Sequence, residues 1–167
     1  LDDELIRLIN KFKKTVMKEQ PTLFVEFHGS TKTSLEEDIQ FVRENCLIDC
    51  TFFKVETGWE KREQFSEIRY SAYDAIKCNN IKSAIIIVDV AVPISKLSNL
   101  VDRTKEILRK YKLQGLIFGH VGDGNLHVDI VANPEDESEW NLAQKANEEI
   151  VEHGIKLGGT ATGEHGV

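Results

Sequence analysis

Leu5, Leu8, Ile9, Phe12 and Val16 recur at helical spacing between charged residues, which predicts an amphipathic helix within residues 1–20 that stops before Pro21. Thr22–Phe27 then reads as a strand, followed by a turn at His28-Gly29-Ser30. The pattern Leu35, Ile39, Val42 predicts a helix from Ser34 to Glu44, with Ser34 as its cap and Glu37 completing a capping box. Asp49–Val55 reads as a second strand, and Trp59–Ile76 as a helix whose stripe is Phe65, Ile68, Ala72 and Ala75. The β-branched run Ser83–Val92 predicts a long strand at the centre of a sheet. Pro93 stands where a helix begins, with Leu97, Leu100, Val101, Thr104 and Leu108 on its buried face.

The apolar run Leu116-Ile117-Phe118 leads into Gly119-His120-Val121-Gly122-Asp123-Gly124-Asn125-Leu126-His127, after which Leu126, Val128 and Ile130 alternate with His127 and Asp129. Period two on both sides of a Gly-Asp-Gly-Asn loop predicts a hairpin of two strands, the second half-buried. After Asn133-Pro134, the acidic opening Glu135, Asp136, Glu137, Glu139 and the stripe Trp140, Ala143, Ala146, Ile150 predict a last helix. Strands joined by helices and closed by one hairpin point to an α+β fold, ferredoxin-like, with an antiparallel or mixed sheet and helices on one face.

At 167 residues, 41% hydrophobic and 29% charged, the chain is long enough for a domain with its own core. The net charge of -7, with the two signs interspersed, offers no footprint for nucleic acid or an anionic membrane. No apolar run reaches the roughly 20 residues of a membrane span, and the polar amphipathic opening does not read as a signal peptide. Cys46, Cys50 and Cys78 have no Cys-x-x-Cys spacing, so they read as reduced thiols packed as small residues. The setting this suggests is cytoplasmic, with an organellar matrix compatible as well. Neither a Gly-x-Gly-x-x-Gly nor a Gly-x-x-x-x-Gly-Lys-Ser/Thr pattern occurs, so no nucleotide site of those kinds is expected.

The hairpin is the chemically informative segment. If Gly122–Asn125 form its loop, His120 faces His127 across the ladder, close enough for both imidazoles to reach one ion. Asp129 shares that face, and Glu164-His165, after the small-residue loop 158–162, is available to add a third ligand and a base. A hairpin histidine can equally be structural, and Glu-His in a glycine-rich loop is commonly a solvated turn. From these residues alone, a flavin-independent oxygenase or hydrolase with a two-histidine, one-carboxylate site and a non-catalytic binding module both stay open.

Two motifs narrow the choice. Gly119-His120-x-Gly122-Asp123-Gly124-Asn125-x-His127 and Gly159-Thr160-x-x-Gly163-Glu164-His165-Gly166, with Arg69 and Asp89-Val90-Ala91-Val92-Pro93 as weaker matches, resemble the C-terminal cap domain of the FAD-linked oxidases of the vanillyl-alcohol-oxidase superfamily. The branch is that of D-lactate dehydrogenases, glycolate oxidase catalytic subunits and D-2-hydroxyglutarate dehydrogenases, and the match spans about residues 21–167.

The resemblance implies that His120, His127 and Glu164 hold a divalent metal such as zinc, manganese or iron. It implies His165 as the base that takes the substrate hydroxyl proton and Arg69 as the partner of the substrate carboxylate. These roles agree with general chemistry. A metal acidifies a bound hydroxyl, a guanidinium pairs with a carboxylate, and an imidazole serves as a base.

Departures from the D-2-hydroxyglutarate branch bear on substrate. Asp129 replaces an asparagine, Tyr73 a threonine and Ile87 a lysine, which favours lactate or glycolate over a dicarboxylate, with Tyr73 and Asp129 as substrate-side residues. Glu164-His165 in place of a histidine run disfavours the ether-lipid synthase branch. FAD is the implied cofactor, held by a flavin domain that these residues do not contain. The expected partners are therefore a small 2-hydroxy acid and a flavin domain or flavin-bearing subunit, with homo-oligomerisation open. On this reading the chain is a fragment or split subunit, inactive alone.

Overall fold

The structure is a computed structural model that describes residues 1–45 and 50–166. Its elements are α1 (Asp3–Lys13), α2 (Lys32–Asn45), α3 (Trp59–Tyr70), α4 (Ala72–Asn79), β1 (Ala84–Ala91), α5 (Leu97–Tyr111), β2 (Gln114–His120), β3 (Asn125–Ala132) and α6 (Glu137–Lys156). Single turns of 3-10 helix precede α5 at Ile94–Lys96 and join β2 to β3 at Val121–Asp123. The chain divides into two compact units, one made of Leu1–Thr22 with the chain from Ser71 onward, the other of Leu23–Tyr70.

The first unit is built on an antiparallel sheet of order β1-β3-β2. Thr160, beyond α6, makes an antiparallel bridge to Ala91 on the outer edge of β1. The succession β1-α5-β2-β3-α6 therefore follows ferredoxin-like topology, with the fourth strand position reduced to one bridge. The α+β expectation holds. The centre of the sheet is β3, however, and β1, the β-branched run expected there, lies beside it.

One face of the sheet carries Val88, Val90, Ile117, Leu126, Val128 and Ile130. These pack with Leu97, Leu100, Ile107 and Leu108 of α5 and Ala143, Ala146 and Ile150 of α6, so the two predicted helix stripes meet the predicted strand face. Lys110 and Tyr111 of α5 both donate to the Glu149 carboxylate of α6, tying the two helices at their outer side. Asp136 caps α6 by accepting from the N–H groups of Ser138 and Glu139.

Helix α1 is shorter than its hydrophobic repeat suggests. It ends at Lys13, with Lys14 in the left-handed region at φ 57°, which leaves Phe12 at 40% and Val16 at 97% exposure. Its buried residues are Leu5, Ile6, Leu8 and Ile9, and it packs on α4. Asp2 caps it through Leu5 N–H at 2.8 Å and also accepts from Ile117 N–H at 2.6 Å, which fastens the helix start to β2.

In the second unit, neither α2 nor α3 has a buried residue. The strand expected at Thr22–Phe27 forms no ladder, and Leu23 and Val25 are exposed. The same holds for 50–55, while Asp49 lies outside the described residues. β-branched and aromatic content without a pairing edge does not make a strand.

Helix α2 starts at Lys32, so Ser34 is inside it instead of capping it. Thr31 Oγ1 accepts from Ser34 N–H, and Ser34 Oγ returns toward the Thr31 carbonyl and N–H. The expected helix over 59–76 is two helices separated at Ser71, so its stripe is buried only at Ala72 and Ala75. Cys50 and Cys78 are free and exposed, which corrects their reading as packing residues; Cys46 lies outside the described residues.

Candidate functional site

The second face of the sheet carries the chemistry. Reading across the ladders, Asp89 pairs with His127 and His127 with Phe118; Ala91 pairs with Asn125 and Asn125 with His120. The hairpin closes one residue earlier than its sequence suggests, through Val121–Asp123 and Gly124, so Asn125 already belongs to β3. His120 is thus not opposite His127 but diagonal to it, on the same face. The rings still meet edge to face, with centroids 5.4 Å apart.

Gly124 makes this closure feasible. Its φ is +69°, and a Cβ there would lie 2.0 Å from the Val92 carbonyl oxygen. The expected half-burial of the second strand is also corrected, since all eight residues of β3 are buried, Asn125, His127 and Asp129 among them.

The segment Thr162–His165 covers this polar face. It is drawn in by Asp89, whose Oδ2 accepts from Thr162 Oγ1 (3.2 Å) and from the N–H groups of Gly163 (2.9 Å), Glu164 (2.7 Å) and His165 (2.8 Å). Burial pushes the Asp89 carboxyl up, but these donors outweigh it and hold the group down at about 2. Gly163 lies so close to the Asn125 side chain that a Cβ there would be 2.6 Å from Asn125 Oδ1.

Seated in this way, Glu164 points its Oε1 at both hairpin histidines, 2.9 Å from His127 Nε2 and 3.3 Å from His120 Nε2. One ligand atom from each of His120, His127 and Glu164 falls within 4.8 Å of the others, the convergence a single ion requires. His165 stands beside them, with its ring 5.0 Å from the His127 ring and Nε2 3.8 Å from Glu164 Oε1.

His127 is 3% exposed, and burial lowers its pKa against the pull of Asp89 and Glu164, which favours the neutral imidazole a metal needs. Its other nitrogen, Nδ1, lies 3.4 Å from Asp89 Oδ1, and neither atom has a hydrogen-bond partner. A buried imidazole with a carboxylate behind one nitrogen and two ligand groups ahead of the other is a donor arrangement that would suit a cation. The donor set of two nitrogens and one carboxylate oxygen fits zinc, manganese or iron.

Asp129 is 1% exposed on the same face, and burial raises its carboxyl to about 6 against the pull of His165. Arg69 and Tyr73 are not on one helix. Arg69 lies in the last turn of α3 in the Leu23–Tyr70 unit, exposed, with its guanidinium over the Tyr70 ring, whereas Tyr73 is on α4 in the other unit with Lys77 over its ring. In the sequence Asp89 stands out only as part of a motif. The available signal was a carboxylate inside Ile85-Ile86-Ile87-Val88-Asp89-Val90, a run that a buried strand interrupts with charge only for a partner.

The profile described as FAD linked oxidases, C-terminal domain, matches residues 1–167. The chain belongs to this family. Among curated proteins it is 36% identical to one named "Probable D-lactate dehydrogenase, mitochondrial" from Danio rerio, over all of this chain and 34% of that protein. It is 33% identical to "Glycolate oxidase subunit GlcD" from Bacillus subtilis, over all of this chain and 36% of that protein.

A shorter match, 35% identical over 47% of the chain and 8% of the relative, is to "D-2-hydroxyglutarate dehydrogenase" from Haemophilus influenzae. This FAD-linked oxidase domain therefore spans about a third of the length of its full-coverage relatives. Among solved structures, the 4-ethylphenol oxidase from Gulosibacter chungangensis in its isoeugenol complex superposes with a TM-score of 0.54 at 12% identity, covering 79% of this chain and 29% of that one. That likeness is one of fold. Among the described residues no helix is long and apolar enough to cross a membrane.

Proposed function

We propose that this domain is the substrate and metal side of an FAD-dependent 2-hydroxy-acid dehydrogenase acting on D-lactate or glycolate. The convergence of His120, His127 and Glu164 beside His165 carries the reading, in a chain whose relatives bear those enzyme names. His120 Nε2, His127 Nε2 and Glu164 Oε1 would hold the divalent cation, whose chemistry is to make a bound 2-hydroxyl more acidic. His165 takes the hydroxyl proton at Nε2. The family resemblance assigns the substrate carboxylate to Arg69, whose planar donor fork suits it, and gives Tyr73 and Asp129 substrate-side roles.

The C2–H bond breaks with its electron pair as a hydride, leaving a 2-oxo acid. FAD, in a part of the protein outside these residues, supplies the two-electron acceptor. Ile87, 46% exposed, adds no cation for a second carboxylate, which supports a monocarboxylate substrate. Because four of the relatives are mitochondrial by name, an organellar matrix stands beside the cytoplasm as the compartment.

The test is turnover of the intact flavin-loaded protein with D-lactate, glycolate and D-2-hydroxyglutarate and an artificial electron acceptor. The reading expects kcat/KM for the monocarboxylates to exceed that for the dicarboxylate. No turnover with any 2-hydroxy acid would overturn it.

A further inference from the structure

We propose that Asp89 is a positioning residue that sets the tautomer of His127 and at the same time clamps the Thr162–His165 segment, so that ligand and base arrive as one assembly. This rests on the metal reading of His120, His127 and Glu164. Two oxygens of one buried carboxylate serve two distant parts of the chain. Oδ2 gathers three successive backbone N–H groups and the Thr162 hydroxyl, so a single fixed charge replaces the contacts this segment would otherwise make with water. Beyond these bonds Glu164 meets the sheet through Oε1 at His127 and His120, so Asp89 anchors its backbone and the histidines its carboxylate.

Oδ1 faces His127 Nδ1 across 3.4 Å from the directly opposed ladder position, and both atoms are buried without a hydrogen-bond partner. An imidazole that offers the lone pair of Nε2 must keep its proton on Nδ1. Asp89 Oδ1 is the carboxylate oxygen on the Nδ1 side of the ring, 3.4 Å away, while Glu164 Oε1 lies 2.9 Å from Nε2. Once a cation takes Nε2, the proton belongs on the Asp89 side, so the same carboxylate that draws Glu164 in also favours the tautomer that leaves Nε2 free.

The discriminating variant is Asp89→Asn in the intact protein. Its oxygen can accept the same N–H groups, but its NH2 donates toward His127 Nδ1 and moves the imidazole proton to Nε2, the metal side. Expected are a loss of about 10–100-fold in affinity for added Mn2+ or Zn2+ in calorimetric titration of stripped protein, and, in a Glu164→Ala background that leaves no carboxylate at Nε2, a switch of His127 from the Nδ1–H to the Nε2–H tautomer in 15N spectra. Asp89→Ala should in addition raise amide exchange at Glu164 and His165.

Metal-free Glu164→Ala protein, in which no carboxylate faces Nε2, overturns the tautomer role of Asp89 if its His127 proton sits on Nε2. So does an Asp89→Asn protein that keeps both tautomer and affinity. Unchanged exchange in Asp89→Ala removes the clamp. If wild type takes up neither metal, the metal reading fails by itself, and tautomer and exchange then decide the role of Asp89.

Discussion

Asp89 and His127 stand directly opposite each other in the β1–β3 ladder, with Oδ1 3.4 Å from Nδ1 and the other imidazole nitrogen on the far side of the ring. That nitrogen faces Glu164, a residue the fold delivers from beyond α6 through the second oxygen of the same Asp89. The arrangement makes the site dependent on a sheet ladder, a hairpin and a C-terminal segment together.

Metal binding should fail when any one of the three ligands is removed. His120→Ala, His127→Ala and Glu164→Gln are each expected to leave the intact protein with less than a tenth of the wild-type metal content after dialysis. His28→Ala, which removes an exposed imidazole from the other unit, should not change it. Elemental analysis by mass spectrometry reads the outcome, and chelation of wild type should reproduce the loss.

His165→Ala should separate proton removal from metal retention. A general base contributes about 10^2–10^4-fold to rate, so kcat should fall by that order while metal content stays. Steady-state kinetics paired with metal analysis checks both halves.

Two glycines should not tolerate a methyl group. Gly124→Ala places a Cβ against the Val92 carbonyl at a positive φ, and a cost of about 1–3 kcal/mol is expected in urea unfolding. Gly163→Ala collides with Asn125 in the covering segment, so its signature should be weaker metal binding, read by calorimetry, with a smaller change in the unfolding midpoint.

Ile150, fully buried where α6 meets the sheet, tests the core. Ile150→Ala should cost about 2–5 kcal/mol, seen as a lower urea midpoint with unchanged slope.

Asp2 gives a pH signature away from the site. Burial raises its carboxyl above the usual value, and hydrogen bonds from Ile117 and Leu5 offset this only in part. The folded state therefore holds this proton more tightly than the unfolded chain, so the contribution is favourable at low pH. It declines as pH rises through the ordinary aspartate range near 4 toward the raised value, and is constant above it. The stability difference between wild type and Asp2→Asn, followed by urea titration from pH 3 to 7, should move in favour of the variant across that window.

The helices α5 and α6 and the strands β1 and β3 were legible because each buries one continuous stripe, and a stripe is written in the local sequence. Thr22–Phe27 and 50–55 misled for the converse reason: a strand needs an edge to pair with, and nothing local records whether one exists. The break at Ser71 was hidden because both halves of the repeat continue in helical phase across it.

The two glycine-flanked histidine motifs, and the chemistry of their residues, were determined by the sequence alone, since residue type and spacing do not depend on fold. The hairpin register, the burial of His127 and Asp129, and the arrival of Glu164 against both histidines were decided only by tertiary structure. A one-residue change in loop closure moves the partner of every strand position, and the bonds to Asp89 Oδ2 join residues far apart in the chain, where no local pattern can encode the contact.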